Sequence, residues 1–560
     1  MERSTTSAVF IKSAKGTVVC HPTREEPAIS SGGTLVSAPV LRAFLNIAKG
    51  TVACRQTGEE LAISSGGTLV SLPVLREFLK GLFVFLALWS CGSPAFAQSS
   101  DSASQPLQIG SVTFNGSIVE RTEFWDWFGG KGQNSYVFPG GLAQFAFSQA
   151  SPTFDWKIDM AVPVLLGLPK DAISPSPQGQ LGIGANYFAA NHSSEAAMIF
   201  PKQAYVRLKH DKTSVQAGRF EFADGTEVMP DNPTLAALKR DRIGQRLIGT
   251  FAFTDIRRSF DGANVAYSNG GWNVTIVSAI PTRGVFQVDG WGWVKTPFAY
   301  ASLTRQLHSS KRISAEWRLF GIYYDDPRGV VKTDNRSASV RAADTRGIEI
   351  GTYGGHYIAA IQTRAGTVDL LAWGALQSGN WGALVQRSGA AAWEGGIQPK
   401  FLPSLRPWLR GGYNYGSGDG NSNDGVHGTF FAILPTPRVY ARFPFFNEMN
   451  NRDGFGELIT RPWKPLTIRS DVHHLALANA HDLWYTGGGA FQPWTFGYQG
   501  RPSNGKTDLA NLYDSSVDYA FNKAASIGLY YGYAQGGDVI KAIYKDANGQ
   551  FGFIELNYRF

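Results

Sequence analysis

Strict alternation of apolar and polar residues constrains this chain more than any other feature. It is clearest in FGFIELNYRF, residues 551–560, where Ile554, Leu556, Tyr558 and Phe560 share one side of an extended strand. Phe553, Glu555, Asn557 and Arg559 share the other, because successive strand side chains point to opposite faces. The pattern recurs in FDWKIDMAV, where Phe154, Trp156, Ile158, Met160 and Val162 alternate with Asp155, Lys157, Asp159 and Ala161. It recurs again in LYDSSVDYAF and ASIGLYYGYA, two strands turned into a hairpin at Asn522-Lys523.

Further hairpins are expected around Asp211-Lys212 in AYVRLKHDKTSVQAGRF and around Asn269-Gly270 in ANVAYSNGGWNVTIVSA. Long connections separate other strands, from Val162 to Gln203, Ala223 to Asp261 and Gly416 to Leu466. These exceed ordinary loop lengths. Short turns on one side and long loops on the other describe a transmembrane barrel with one face in lipid and one on a wet lumen. Closing such a sheet leaves no unpaired backbone edge in hydrocarbon.

Composition agrees. With 64 Gly, 13% aromatic and only 17% charged residues, the chain suits one large sheet better than helical layers. No run of eighteen apolar residues occurs in its body, which argues against a helical membrane protein. All three cysteines, Cys20, Cys54 and Cys91, precede residue 92, so the remainder can carry no thiol-based metal or redox chemistry.

The segment VLREFLKGLFVFLALWSCGSPAFAQSS reads as a secretory signal peptide. Arg76 and Lys80 precede a short apolar core, and Ala95-Phe96-Ala97 forms a small-residue cleavage site before Gln98. A lipoprotein signal ending at Cys91 is the lesser alternative, since Trp89 fits that pattern poorly. Upstream lies a tandem repeat with a period of 34, KGTVVCHPTREEPAISSGGTLVSAPVLRAFL from Lys15 and KGTVACRQTGEELAISSGGTLVSLPVLREFL from Lys49. The expected organisation is therefore an N-terminal extension at 1–69, a signal peptide at 70–97 and the barrel at 98–560. Translation from Val70 or Val74 would leave the extension unmade, which N-terminal sequencing of the exported precursor tests. Nine of the 52 Lys/Arg and six of the 44 Asp/Glu lie in residues 1–97, leaving 43 basic and 38 acidic residues. That balance gives no reason to expect nucleic acid as a partner.

Three blocks make the chain resemble the alginate-export family of outer-membrane barrels. They are AGRFEFADGTE with RLIGTFAFTDIRRSFDGANVAY (217–267), GGYNYGSGDGNSNDGVHGTFFAILPTPRVYARFPFFNEMNN (411–451), and SDVHHLALANAHDLWYTGGGA (470–490). FNGSIVERTEFWDWF and the terminal hairpin extend the resemblance over nearly all of residues 98–560. It implies a single antiparallel barrel of about eighteen strands in the bacterial outer membrane, with short periplasmic turns and long extracellular loops. It also implies assembly by the barrel-assembly machinery, a monomer in the lipid bilayer, and passage of a polyanionic uronate polymer through an arginine-lined pore. One departure is Gly218-Arg219-Phe220, where the family often has Gly-Arg-Gln.

The candidate pore-lining residues are Arg121, Glu123, Arg219, Arg257, Arg258, Asp261 and Arg410. Guanidinium forks match carboxylates, and a ring of them lowers the barrier to anions. The competing expectation is that Arg121 with Glu123, or Arg258 with Asp261, simply pair to hold the wall. Asp419, Asn421, Asn423 and Asp424 in SGDGNSNDG offer oxygens to Ca²⁺, although Asp424 stands where a calcium loop has Gly and no Glu closes the site. A solvated turn is the better expectation. No other cofactor is expected.

Enzyme chemistry is not expected. His473 and His474 point to opposite faces of a strand and cannot share a metal, and no spacing marks a hydrolytic triad. The leading expectation is a passive channel for an anionic saccharide or small acidic solute. A general or nutrient-uptake porin, a barrel hydrolase and a structural or adhesive barrel are the alternatives.

Overall fold

The computed structural model describes residues 9–13, 16–20, 106–129, 135–167, 195–285, 288–310, 312–444, 447–486 and 492–560. The chain divides into two compact units, Met1–Leu69 and Val70–Phe560. In the first, Val9–Ser13 pairs antiparallel with Gly16–Cys20. The segment expected to be a signal peptide, residues 70–97, and most of the tandem repeat lie outside the described residues.

In the second unit eighteen antiparallel strands close into one barrel. The first six are β1 (Val112–Asp126), β2 (Ser135–Ala150), β3 (Phe154–Leu165), β4 (Phe200–His210), β5 (Thr213–Phe220) and β6 (Phe260–Asn269). The next six are β7 (Trp272–Pro281), β8 (Phe298–Ser310), β9 (Ile313–Asp326), β10 (Ile348–Gln362), β11 (Gly366–Trp381) and β12 (Leu384–Pro399). The last are β13 (Trp408–Gly416), β14 (Asn451–Thr460), β15 (Leu466–Ala476), β16 (Asp508–Ala520), β17 (Ala525–Gly536) and β18 (Asn548–Arg559). Each strand pairs with its neighbour in sequence, and β18 pairs with β1 from Gln550↔Asp126 to Arg559↔Ser117. Phe560 extends that seam by one step: its N–H donates to Gly116 at 3.0 Å and its carbonyl accepts from Gly116 at 2.9 Å. The terminal aromatic is thus the last rung of the ladder that closes the wall.

Alternation sorts the side chains as expected. Leu319 and Leu376 project outward, 58% and 70% exposed, as a lipid-facing residue should. Arg318 and Gln377, their chain neighbours, are buried on the inner side. Asp211 turns β4 into β5 with φ +50°. The next hairpin turns one residue later than expected: Asn269 pairs with Trp272, and Gly270 and Gly271 form the turn with φ +56° and +82°. A two-residue turn of this twist needs positive φ at both positions, which two glycines provide without steric cost.

The long connections all lie at one end of the barrel, opposite most of the tight turns; the two-residue turn 382–383 between β11 and β12 is at the long-loop end. Those from 166 to 199 and 221 to 259 match expectation. The interval from Gly416 to Leu466 does not, because it contains β14, whose Gly454 and Gly456 blur the alternation. Part of 221–259 is helical: α1 (Pro233–Leu238) runs into a π turn at Lys239–Ile243. Asn232 caps α1 by accepting from the N–H groups of Thr234 (3.0 Å) and Leu235 (3.2 Å), with Pro233 behind it.

Candidate channel lumen

Two inward segments fill the barrel. Leu238, Ile243, Leu247 and Ile248 pack with Phe430, Phe431, Ile433 and Leu434 from the connection after β13. Backbone bonds tie the segments together, Leu434 N–H to Leu247 O at 2.8 Å and Gly249 N–H to Leu434 O at 2.8 Å. Burying these apolar faces against each other stabilises loops that would otherwise project into solvent.

Cations on the helical segment then fasten it to the wall. Lys239 pairs with Glu316 of β9 at 2.6 Å, Arg242 with Glu394 of β12 at 2.9 Å, and Arg246 reaches Asn414 of β13 at 3.2 Å and also Glu448. In return, Arg318 of β9 pairs with Glu227 of the segment at 2.9 Å. Asp224 accepts from the N–H groups of Leu247 and Ile248 at 3.1 and 2.9 Å; burial raises its carboxyl to about 6 despite the opposing Arg318. These links were not anticipated, although Lys239, Arg242 and Arg246 stand three and four residues apart, the spacing of one helical face.

Arg410 belongs to this fastening network. It lies 3.2 Å from Asp369, 3.0 Å from Glu394 and 3.8 Å from Glu457. Arg121 is a fastener of another kind: its Nε donates to Glu555 of β18 at 2.8 Å, Nη1 lies 3.4 Å from Glu123, and it also donates to the carbonyl of Phe253. It therefore spans the closure seam and holds the tip of the inward segment. Glu123 also accepts from Trp125 Nε1 at 3.0 Å. Beside them Asp255 is 3% exposed, and neither carboxylate oxygen has a hydrogen-bond partner among the described residues. Burial raises it to about 7, with Arg121 opposing and Glu123 and Glu555 adding to the rise.

Arg219 grips Asp261 through two parallel bonds of 2.7 and 2.8 Å. Asp261 is thus the partner of Arg219 on the adjoining strand; the expected pairing with Arg258 does not form, because Arg258 turns the other way, over Phe251 at 5.4 Å and toward Pro435 O at 3.4 Å. Burial lowers the Arg258 guanidinium to about 10, still cationic at neutral pH. Lys202 of β4 donates to the Arg258 carbonyl at 3.0 Å, and Arg257 is close enough to Lys202 for the two cations to repel. Arg257 has φ +65°, is half-buried, and has no carboxylate within 4 Å among the described residues. Lys202, Arg257 and Arg258 therefore form a basic cluster apart from the fasteners.

The oxygens considered for Ca²⁺ serve a run of turns. Asp419 Oδ1 accepts from Asn421 N–H at 3.0 Å, Asn421 Oδ1 from Asn423 N–H at 3.1 Å, and Asp424 Oδ1 from Val426 N–H at 2.9 Å. Among the described residues no three His, Cys, Asp or Glu side chains gather to hold a metal. His473 points inward, 3.0 Å from Asp453, while His474 points outward to Asn511 at 2.9 Å.

The family model described as alginate export matches residues 190–552, most of the barrel just described. The chain belongs to the alginate-export family. Its barrel is similar to solved outer-membrane barrels, among them OccK9 (OpdG) of Pseudomonas aeruginosa, with a TM-score of 0.51 at 10% identity over 80% of this chain and 98% of that one. OccAB2 of Acinetobacter baumannii gives 0.51 at 8% identity over 81% and 99%. OccK1 (OpdK) of Pseudomonas aeruginosa gives 0.50 at 9% identity over 80% and 98%. At such identities the likeness is one of fold. No curated protein matches the chain in sequence. This member of the alginate-export family is a bacterial outer-membrane channel, and its family and fold are those of channels rather than enzymes.

Proposed function

We propose that the channel passes anionic saccharides or small acidic solutes passively, as a monomer. The Lys202–Arg257–Arg258 cluster carries this reading: three cations lie together on the inner side, Lys202 paired with Glu221 at 3.6 Å and half-buried Arg257 with no carboxylate within 4 Å among the described residues. Forked guanidinium donors match carboxylates, so the cluster lowers the barrier for an acidic group without holding it permanently. The family's description, alginate export, points to a uronate polymer as the class of solute. The fasteners contribute little to selectivity, since Arg242, Arg318 and Arg410 are each neutralised by a carboxylate within 3.2 Å. That neutrality favours a second reading, a general uptake porin with weak charge preference.

Reversal potentials of the barrel in a planar bilayer across a salt gradient separate the two, with oligouronate added afterwards. The expected result is anion selectivity and reversible block, both diminished by Arg257→Ala. Weak or cation selectivity without block would overturn the anionic reading and leave the unselective porin.

A further inference from the structure

Five buried hydrogen-bonding atoms without a close hydrogen-bond partner among the described residues converge on the inner wall of β15, β16 and β17, Ser516 having only a looser contact with Asp518. They are Asp471 Oδ1, His473 Nε2, Asp514 Oδ2, Ser516 Oγ and Tyr530 Oη. Every one of these side chains is at least nine-tenths buried, the most exposed being Asp514 at 6%. Buried polar atoms are nearly always satisfied, so five orphans in one place require an account.

Strand register makes them neighbours. Asp471 is the direct cross-strand partner of Asp514, and Ser516 of Tyr530. Gly532 is the partner of Asp514, and a Cβ there would stand 2.5 Å from the Tyr530 hydroxyl. The hydroxyl therefore lies over Gly532, next to Asp514, and glycine is what admits it. All five face the lumen, because Tyr513 and Tyr531, adjacent in the chain, are exposed on the outer face.

The chemistry of the row is that of a partner which both donates and accepts. Asp471 keeps one oxygen on Arg469 at 3.0 Å and leaves the other orphaned. Asp514 has no cation within 4 Å among the described residues. Like charges directly across a sheet destabilise it unless donors reach them. Hydroxyl hydrogens supply those donors, and hydroxyl oxygens in turn accept from Ser516 and Tyr530. A bare cation could take the carboxylate and hydroxyl oxygens but would leave the Ser516 and Tyr530 hydroxyl hydrogens without an acceptor. Near the row stands Arg442, in loose contact with Asp518 at 4.0 Å, while Phe443 and Phe553 pack over Tyr530.

We propose that this row is a saccharide-hydroxyl subsite, which takes the ring hydroxyls of a passing sugar while the basic cluster takes its carboxylate. This deepens the saccharide reading above and rests on it. The two parts separate experimentally. In planar bilayers, maltotriose, which has hydroxyls but no charge, should block the intact channel reversibly. Tyr530→Phe and Ser516→Ala, which keep ring and backbone, should each shorten the blocked time about three- to tenfold, as loss of one hydrogen bond does. Neither should move the reversal potential. Arg257→Ala should do the opposite, reducing anion selectivity while leaving maltotriose block intact. No block by maltotriose, or block times unchanged in both hydroxyl variants, would overturn the subsite even if anion selectivity holds. Block that tracks Asp514→Asn with spermidine but not with maltotriose would overturn it in favour of an amine site. Maltotriose block without anion selectivity would sustain the subsite and remove the anionic reading instead.

Discussion

Replacing Asp255 by Asn should tighten the inward segment at pH 8 and leave it unchanged near pH 4. Asp255 is buried beside Arg121, Glu123, Glu555 and Arg257, and neither of its oxygens is hydrogen-bonded among the described residues. Its carboxyl rises from 3.8 to about 7 when the tip is docked. A raised acid favours the docked state in its protonated form. Docking stability is therefore full below about pH 4, falls as pH rises through the interval, and is lost above about 7. The loss amounts to roughly 4 kcal/mol, or about three powers of ten in the undocked population. Hydrogen exchange reads this directly at Arg258 N–H, bonded to Thr250 O at 2.7 Å, and at Phe251 N–H, bonded to Thr436 Oγ1 at 2.9 Å. After correction for intrinsic rates, protection in the wild type should fall between pH 5 and 8, and in Asp255→Asn it should stay flat. Equal slopes in the two proteins would refute the reasoning.

Other outcomes follow from the same geometry. Arg242→Met removes the forked partner of buried Glu394, which keeps Arg410 at 3.0 Å, and should destabilise the docked segment by about 1.5–3 kcal/mol, seen as faster proteolysis of residues 221–259. Gly116→Val places a Cβ 2.5 Å from the Phe560 ring and 2.7 Å from Gln144 O, so the fraction of heat-modifiable, closed barrel on a gel should drop. Arg219→Lys keeps the charge but loses the two-pronged grip on Asp261, and should raise current noise from the 282–297 connection, whose Gly290 carbonyl Arg219 also holds at 3.0 Å.

The wall was legible in the sequence and much of its filling was not. Alternation reports which face of a strand meets lipid, and it holds wherever side chains are present, as in 551–560. It fails at β14, where Gly454 and Gly456 put no side chain on the outer face. Arg121 and Glu123 could be read together because they are two residues apart on one strand. Arg242 and Glu394 could not, since 152 residues separate them and only the inward fold of the 221–259 segment brings them together. Asp261 shows the opposite failure: Arg258 is nearer in sequence, yet the sheet ladder sets Arg219 directly across from it. The hydroxyl row was hidden for the same reason, being a property of register between β15, β16 and β17.

The three contacts of Arg121 also bear on the order in which the molecule is made. From near the start of the barrel sequence, the Arg121 guanidinium touches residue 253 of the inward segment and residue 555 of the last strand. Synthesis delivers Glu555 last, so until the final strand has arrived the tip of the inward segment lacks its complete berth. The strand that shuts the wall thus also completes the berth of one interior tip, while Lys239, Arg242 and Arg246 hold the rest of that segment without it.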